Sequence, residues 1–302
     1  MIPLPGNPMA PILQEAIPEG DDWGYQIKWD GVRLLSAVGN GKVDLYSRKM
    51  LLKNSVYPEV AQRLSSLKGE LLLDGEAVVI DPVLQRPVFQ KVLQRERTRS
   101  ATGIKDMMER SPVVYVLFDL LYEDGEDLRK LPYAERHQRL LARFPDKHPN
   151  LLVSDLFHDG AALWNWVSTN GWEGIVSKRL SGSYKEGKKH KDWFKKKITV
   201  NLTVDIVGVT VREGQVASLV MAVDGVYFGR VSLGLNVGHK RRIMQYIQDH
   251  PLDQRPFHAL PADLKGETVL WTSQPFPCPV TGLEITSAGL LRHPQIVKVP
   301  EV

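Results

Sequence analysis

A single lysine interrupts an apolar, β-rich run near the N-terminus, "YQIKWDGVRLL" at residues 25–35. A lysine amine must lose its proton to act as a nucleophile, and an ordinary pKa of about 10.4 leaves only about one lysine in a thousand neutral at pH 7. Burial among strand residues and a nearby second cation both favour the neutral amine. The run is therefore compatible with covalent catalysis by Lys28. The alternative interpretation is an exposed strand lysine that forms a local salt bridge.

The residues after Lys28 could complete such a site. Asp30, two positions on, shares the strand face of Lys28 and can position it or help to bind a metal. Arg33, five positions on, falls on the opposite face by strict alternation, but a turn at Gly31 can cancel this difference. We expect Lys28 and Asp30 to be the catalytic residues, with Arg33 as the second cation.

Further short motifs follow the lysine motif "KWDGVR" in a set order. They are "YSRKM" at 46–50, "LLLDGEAVV" at 71–79, "VLFDLLY" at 116–122, "WEGIVSKR" at 172–179 and "DWFKKK" at 192–197. Together the motifs resemble those of the covalent nucleotidyltransferases, which comprise ATP-dependent DNA ligases, RNA ligases and mRNA-capping guanylyltransferases. Each motif alone is a weak match, but the ordered set is specific. The residues in and around these motifs most resemble those of bacterial ATP-dependent DNA ligases, especially the ligase domain of end-joining enzymes.

The resemblance implies an ATP-dependent DNA ligase that seals nicks during repair or end joining. Lys28 would attack the α-phosphate of ATP and hold AMP covalently, with release of pyrophosphate. AMP would then pass to the DNA 5′-phosphate, and the 3′-hydroxyl would displace it. Glu173 and Glu76 would bind Mg²⁺ or Mn²⁺, ions that prefer oxygen ligands.

The resemblance also implies a set of nucleotide-binding residues. Gln26 would hydrogen-bond to adenine where DNA ligases often have Glu, Phe118 would stack on the base, and Glu76 would bind the ribose hydroxyl or a metal. The cations of the motifs would surround the phosphates: Arg33, Arg48, Lys178, Lys195 and Lys197. One family motif, Arg-x-Asp-Lys near the C-terminus, is missing from "GLLRHPQIVKVPEV", and Arg292 and Lys298 are the candidates to replace it.

The pattern of elements predicts an α+β chain with two domains, 1–198 and 199–302. The first would contain two β-rich runs joined by an Asn-Gly turn, two buried strands, a short strand and three helices. These predicted segments are 23–38 and 42–48 (hairpin), 69–80, 112–122 and 174–179 (strands), and 58–67, 132–144 and 159–170 (helices). The resemblance implies an ATP-grasp-like nucleotidyltransferase domain of antiparallel sheets with flanking helices. Short strands and one helix at 238–250 predict a C-terminal OB-fold β-barrel.

Composition limits the class of protein. One cysteine among 302 residues excludes an intramolecular disulfide and a Cys-rich zinc site. The N-terminal residues do not resemble a signal peptide, and no apolar run approaches the roughly 18 residues needed to span a bilayer. We therefore expect a soluble, cytoplasmic monomer without membrane contact. The expected partner is nicked or broken duplex DNA, with an end-bridging protein as a further candidate.

The segment 178–197 is basic, since it contains nine Lys or Arg residues and only two acids. It has two interpretations. It is either a solvated surface, or a surface that serves the nucleotide with its last lysines and the DNA backbone with the loop "YKEGKKHK". Two alternative functions also remain open. One is an RNA ligase or guanylyltransferase of the same superfamily, and the other is a non-catalytic relative that binds nucleic acid.

Overall fold

A computed structural model describes residues 2–146, 148–187, 189–283, 285–286 and 288–299. The chain divides into two compact units, Met1–Ile198 and Thr199–Val302. Two larger sheets dominate the first unit, and one dominates the second. None of the helices in the described part of the chain combines the length and apolar character needed to cross a bilayer.

The first unit contains twelve strands and five α-helices in its described residues. The strands are β1 (Ala10–Leu13), β2 (Trp23–Ile27), β3 (Val32–Gly39), β4 (Lys42–Ser47), β5 (Leu71–Val78), β6 (Ile80–Asp81), β7 (Arg86–Pro87), β8 (Val114–Glu123), β9 (Glu126–Asp127), β10 (Leu151–Val153), β11 (Gly174–Arg179) and β12 (Lys189–Lys197). The helices are α1 (Pro58–Leu64), α2 (Phe89–Arg97), α3 (Ala101–Arg110), α4 (Tyr133–Arg143) and α5 (Gly160–Thr169).

Two sheets of the first unit carry the candidate site residues. One has the strand order β1-β12-β11-β2, and the other has the order β10-β8-β5-β3-β4, with β9 paired to β8. The pairs β1–β12 and β10–β8 are parallel, and the remaining pairs of these two sheets are antiparallel. The main apolar core forms between the second sheet and α1, α2 and α4, with Leu34, Leu64, Leu117 and Leu140 fully buried.

The predicted hairpin is confirmed, but its first strand is shorter than expected. β3 and β4 pair from Gly39–Lys42 onward around a turn at Asn40 and Gly41, both of which have positive φ. Residues 23–38 do not form one strand, because β2 belongs to one sheet and β3 to the other. The change of sheet occurs at Gly31, where a side chain would clash with the carbonyl oxygen of Ala77.

Several elements of the first unit were not predicted, among them the helices α2 and α3 and the strand β12. The helices α2 and α3 bury little apolar surface, with Val92 and Ile104 as their buried apolar residues, so they lack the stripe that marks a helix in a sequence. The strand β12 contains part of the segment expected to be a basic loop. It pairs with both β11 and β1, and its Trp193 is buried.

The second unit is built on an antiparallel sheet and one helix, α6 (Val237–Asp249). Its strands are β13 (Val200–Arg212), β14 (Gln215–Val223), β15 (Val226–Val231), β16 (Pro251–Leu252), β17 (Thr268–Gly282) and β18 (Gln295–Ile296). The order is β15-β14-β13-β17-β16, with β18 also on β17. Leu233, just after β15, forms a parallel bridge with Gln295 of β18, so the sheet curls back toward its own edge.

Candidate active site

A cavity of about 580 Å³ opens in the first unit, bordered by strands of both large sheets. This volume lies within the range of about 300–1,000 Å³ that is usual for small-molecule sites. Eight of the residues predicted from the sequence line it: Gln26, Lys28, Arg33, Arg48, Glu76, Phe118, Lys178 and Lys195. Glu173, Lys197 and Asp30 lie outside the described lining, although Glu173 forms one ion pair with Lys28 and another with Lys197.

Lys28 is fixed beside Glu173 by both its backbone and its side chain. The backbone N–H of Lys28 donates to the carbonyl oxygen of Gly174 over 2.9 Å. The Nζ atom donates to Oε2 of Glu173 over 2.6 Å, and the Lys28 side chain is 20% exposed. Gly174 has a φ of 150°, and a Cβ atom there would clash with the carbonyl oxygen of Lys196. The Glu-Gly motif thus brings a carboxylate to the lysine at a position that only glycine tolerates well.

Glu173 binds two lysines at once. Its second carboxylate oxygen lies 2.7 Å from Nζ of Lys197, and its side chain is only 7% exposed. Burial acts to raise the pKa of Glu173, but the charges of Lys28 and Lys197 outweigh it and lower the pKa below its usual value. The carboxylate is therefore ionised at neutral pH and compensated by two ammonium groups. Asp30 is half-buried in the turn between β2 and β3.

Glu76 is the second carboxylate of the site. Burial raises its pKa to about 8, although Lys28 and Arg33 act in the opposite direction. Among the described residues, its carboxylate forms no hydrogen bond and no salt bridge. A carboxylate in this position is stabilised by a bound cation, so Glu76 and Glu173 fit a Mg²⁺ ion that takes its remaining ligands from phosphates and water. The described part of the chain contains no cluster of three or more metal-binding side chains that would hold the ion alone.

Arg33 lines the cavity, yet its guanidinium is already engaged. Its Nε and Nη2 atoms donate to the two oxygens of Asp74 over 2.8 and 2.5 Å, and Nη1 donates to the carbonyl oxygen of Met9. Burial opposes its charge, but Asp74 more than compensates and raises the pKa of Arg33 above its usual value. Arg33 thus neutralises a buried carboxylate, which differs from the expectation that it faces phosphates.

Lys178 occupies a cage of aromatic rings. Its Nζ atom lies 4.3 Å from the ring centres of Tyr133 and Trp193 and 4.6 Å from that of Phe118. It also donates to the Tyr133 hydroxyl over 3.2 Å, and the residue is 2% exposed. Burial lowers the pKa of Lys178 to about 7, although Asp119 acts to raise it. The sequence analysis expected the phosphates of the nucleotide as neighbours of Lys178. Its neighbours in the structure are aromatic rings, and one of these is the ring of Phe118, the residue expected to stack on adenine.

The remaining predicted residues have distinct surroundings. Gln26 is 2% exposed, and its Nε2 atom donates to the carbonyl oxygen of Ser154 over 3.1 Å. Phe118 packs edge-on against Trp193 with ring centres 6.4 Å apart. Arg48 is exposed at the end of β4, and Lys195 lies on β12.

The sequence analysis did not predict some of the residues that line or support the cavity. Asp74, which holds Arg33, lies directly in the "DGE" motif and could have been noticed there. Lys53 and Glu96 line the cavity and form a 2.5 Å ion pair, and the Tyr57 hydroxyl donates to Glu96. No sequence signal links these two charges, because 43 positions separate them.

Residues 7–197 match a family model described as "ATP dependent DNA ligase domain". A protein named "Multifunctional non-homologous end joining protein LigD" from Pseudomonas aeruginosa is 28% identical over 294 residues, covering 93% of this chain and 34% of that protein. A "DNA ligase" from Thermococcus fumicolans is 33% identical over 230 residues, covering 71% and 41%. The chain therefore spans about a third to two fifths of the length of these relatives.

Solved structures resemble the chain over nearly its whole length. The structure titled "mycobacterial DNA ligase D complexed with ATP and MES" has a TM-score of 0.57 and 28% identity, covering 96% of this chain and 93% of that one. The ligase domain of LigD from M. tuberculosis has a TM-score of 0.56 and 27% identity, covering 97% and 94%.

Proposed function

Because this chain belongs to the ATP-dependent DNA ligase family, as its six motifs predicted, we propose that it seals nicks in duplex DNA through AMP bound covalently to Lys28. The first unit has the nucleotidyltransferase fold of DNA ligases. The observation that carries the proposal is the 2.6 Å ion pair between Lys28 and Glu173 at a cavity of about 580 Å³. It joins a potential nucleophile to a potential metal ligand beside a space of suitable size for a nucleotide.

In the first step, Nζ of Lys28 would form a bond to the α-phosphorus of ATP. The bond from that phosphorus to the bridging oxygen would break, and pyrophosphate would leave. Lys28 must first separate from Glu173 and release a proton, because an ammonium has no lone pair for attack. Lys197 would keep Glu173 compensated during this exchange. When bound by Glu173 and Glu76, Mg²⁺ or Mn²⁺ would neutralise phosphate charge.

Two further transfers would complete the reaction. An oxygen of the DNA 5′-phosphate would attack the phosphorus of the Lys28 adduct, the P–N bond would break, and Lys28 would recover its proton. The 3′-hydroxyl would then attack the 5′-phosphorus, with AMP as the leaving group. Gln26 and Phe118 would hold the adenine, and Arg48 and Lys195 would contact phosphates, since all four line the cavity. Asp30 would position Lys28 or help to bind the metal.

We also infer that the two units correspond to an adenylation domain, 1–198, and an OB-fold domain, 199–302. The division of the chain after Ile198 supports the boundary. The curled sheet of the second unit supports a barrel, because the bridge from Leu233 to β18 joins the segment after β15 to the far side of the sheet. Arg292 and Lys298 stay as the candidates for the missing Arg-x-Asp-Lys motif.

The biological setting is part of the same proposal. The relatives named for end joining support broken as well as nicked duplex DNA as the substrate, and an end-bridging protein as a partner. We infer that the protein acts as a cytoplasmic monomer.

Label transfer tests the function directly. The purified chain is incubated with α-labelled ATP or GTP, Mg²⁺, and nicked duplexes of DNA or RNA. We expect label from ATP to reach the protein and then the 5′-phosphate of nicked DNA, followed by a sealed strand. Labelling by GTP alone would contradict the proposal in favour of a guanylyltransferase, and sealing of RNA alone would favour an RNA ligase.

A further inference from the structure

Three consecutive cations on helix α6 distinguish the surface of the second unit. Arg241 and Arg242 are exposed, and Lys240 is half-exposed. Within the described residues, none of these three side chains forms a hydrogen bond or a salt bridge. Two other arginines of the same unit are compensated, since both Arg212 and Arg230 form ion pairs with Glu267. We call Lys240, Arg241 and Arg242 the α6 basic cluster.

The α6 basic cluster is not needed to form the helix. A capping box between Asn236 and His239 satisfies the helix N-terminus, and Ile243 and Ile247 attach the helix to the apolar core. The three cations lie in the first half of the helix, which has no acid in its first turn. The helix dipole favours anions and not cations at this end, so these three residues do not stabilise the helix electrostatically. The charge of the cluster is therefore left for an anionic partner to compensate.

The basic segment that the sequence analysis associated with DNA is compensated to a much greater extent. Lys197 forms an ion pair with Glu173, and Lys185 and Arg179 both form ion pairs with Asp192. Lys178 is enclosed by aromatic rings. Much of the positive charge between residues 178 and 197 is thus used within the fold, whereas that of the α6 basic cluster is available to a partner.

We propose that the α6 basic cluster binds the phosphate backbone of the duplex DNA substrate. This inference rests on the proposed ligase function and assigns part of its DNA contact to the second unit. The partner is a polyanion, because three adjacent cations match a chain of phosphates and release counterions on binding. An anionic membrane is a poorer match, since the apolar residues Ile243 and Ile247 of the helix are buried and cannot insert into lipid.

Binding and adenylation measured in parallel test this inference. The variant Lys240→Ala/Arg241→Ala/Arg242→Ala keeps good helix formers at all three positions. Affinity for a nicked duplex is measured against KCl concentration, and AMP uptake from ATP is measured on the same samples. We expect AMP uptake to be unchanged, and the slope of log affinity against log salt to become shallower by about 2–3, at about 0.9 per lost phosphate contact.

Matched single variants control for the general loss of charge. Arg241→Ala and Arg212→Ala each remove one exposed cation from the second unit, but Arg212 is compensated by Glu267. We expect the slope to change by about 1 in Arg241→Ala and to stay unchanged in Arg212→Ala. Replacement of the three cluster residues by Gln provides a second triple variant if the alanine variant loses helical signal.

The possible failures are distinguishable. Normal AMP uptake with wild-type slopes in both triple variants would overturn the inference and leave the ligase function intact. Loss of binding to anionic vesicles, with DNA binding unchanged, would also overturn it and indicate a membrane partner. Absence of AMP uptake by the wild-type chain would instead contradict the proposed function itself.

Discussion

The charged residues of the candidate site differ in how their charges are compensated. Glu173 is compensated by Lys28 and Lys197, and Arg33 by Asp74. Lys178 is different, because its closest neighbours are aromatic rings, a tyrosine hydroxyl and the carbonyl oxygen of Phe118. A ring face attracts a cation much less strongly than a carboxylate does. The cost of burial therefore dominates and lowers the pKa of Lys178 to about 7.

Lys178 should therefore make stability depend on pH. Its pKa of about 7 in the folded protein lies below its ordinary value of 10.5, so the unfolded chain binds more protons between these values. The penalty for burying the charge is complete below pH 7 and decreases as pH rises above 7. We predict that Lys178→Met is more stable than wild type at pH 6. The advantage should shrink by about 1.4 kcal/mol per pH unit above pH 7, measured by urea unfolding.

The exposed Lys130 provides the control for this comparison. Lys130→Met should differ from wild type by a small amount that stays constant over the same pH range. A constant advantage of Lys178→Met between pH 7 and 9.5 would mean that the aromatic cage keeps Lys178 charged, and would contradict the prediction.

At the scale of elements, two glycines set where the site strands begin. Gly31 allows the chain to leave β2 and enter the other sheet as β3, close to the backbone of Ala77. Gly174 starts β11 with a φ of 150° and lets Glu173 approach Lys28. The proposed nucleophile Lys28 and the carboxylate of Glu173 thus meet because two strand ends are placed by residues without a side chain.

We predict that Gly174→Ala lowers both stability and adenylation. Its Cβ atom would clash with the carbonyl oxygen of Lys196, and the unfavourable φ alone costs about 1–3 kcal/mol. Urea unfolding should show a loss of about 2 kcal/mol or more, and AMP uptake should fall because Glu173 moves. Gly6→Ala is the control, since a Cβ there meets nothing within 4 Å. Wild-type stability and AMP uptake in Gly174→Ala would contradict the role of this glycine.

The sequence predicted elements whose signals are local. The Asn-Gly turn of the β3–β4 hairpin, Pro58 at the start of α1, and the apolar pattern of α4 and α5 all act over a few residues. The break between β2 and β3 depends on pairing with distant strands, which no local pattern records. The basic strand β12 was mistaken for a loop because its charges are compensated by distant acids such as Glu173.

The same distinction applies to the site residues. Residue types and their order led to the prediction that Lys28, Glu76, Phe118 and Glu173 are site residues, because each stands in a short motif. The engagement of Arg33 could not be predicted, since its partner Asp74 is 41 positions away and the strand register sets their distance. The aromatic cage of Lys178 likewise depends on the packing of three separate elements.

At the scale of the whole molecule, two proposed tasks belong to different units. The cavity with Lys28 lies in the first unit, and the α6 basic cluster lies in the second. The net charge of the chain is only +4, so DNA binding must depend on local groups of cations. Variants of α6 should therefore weaken DNA binding without changing AMP uptake. If one surface served both tasks, the same variants would alter both.

The central claim is that Lys28 becomes covalently linked to AMP. The most direct measurement is an intact-mass spectrum of the protein with and without ATP and Mg²⁺, compared with Lys28→Ala and with Lys42→Ala, which alters a lysine whose side chain is 76% exposed. We predict a mass increase of one adenylyl group in wild type and Lys42→Ala, and none in Lys28→Ala. An adduct that persists in Lys28→Ala, or its absence from wild type at saturating ATP, would contradict the account.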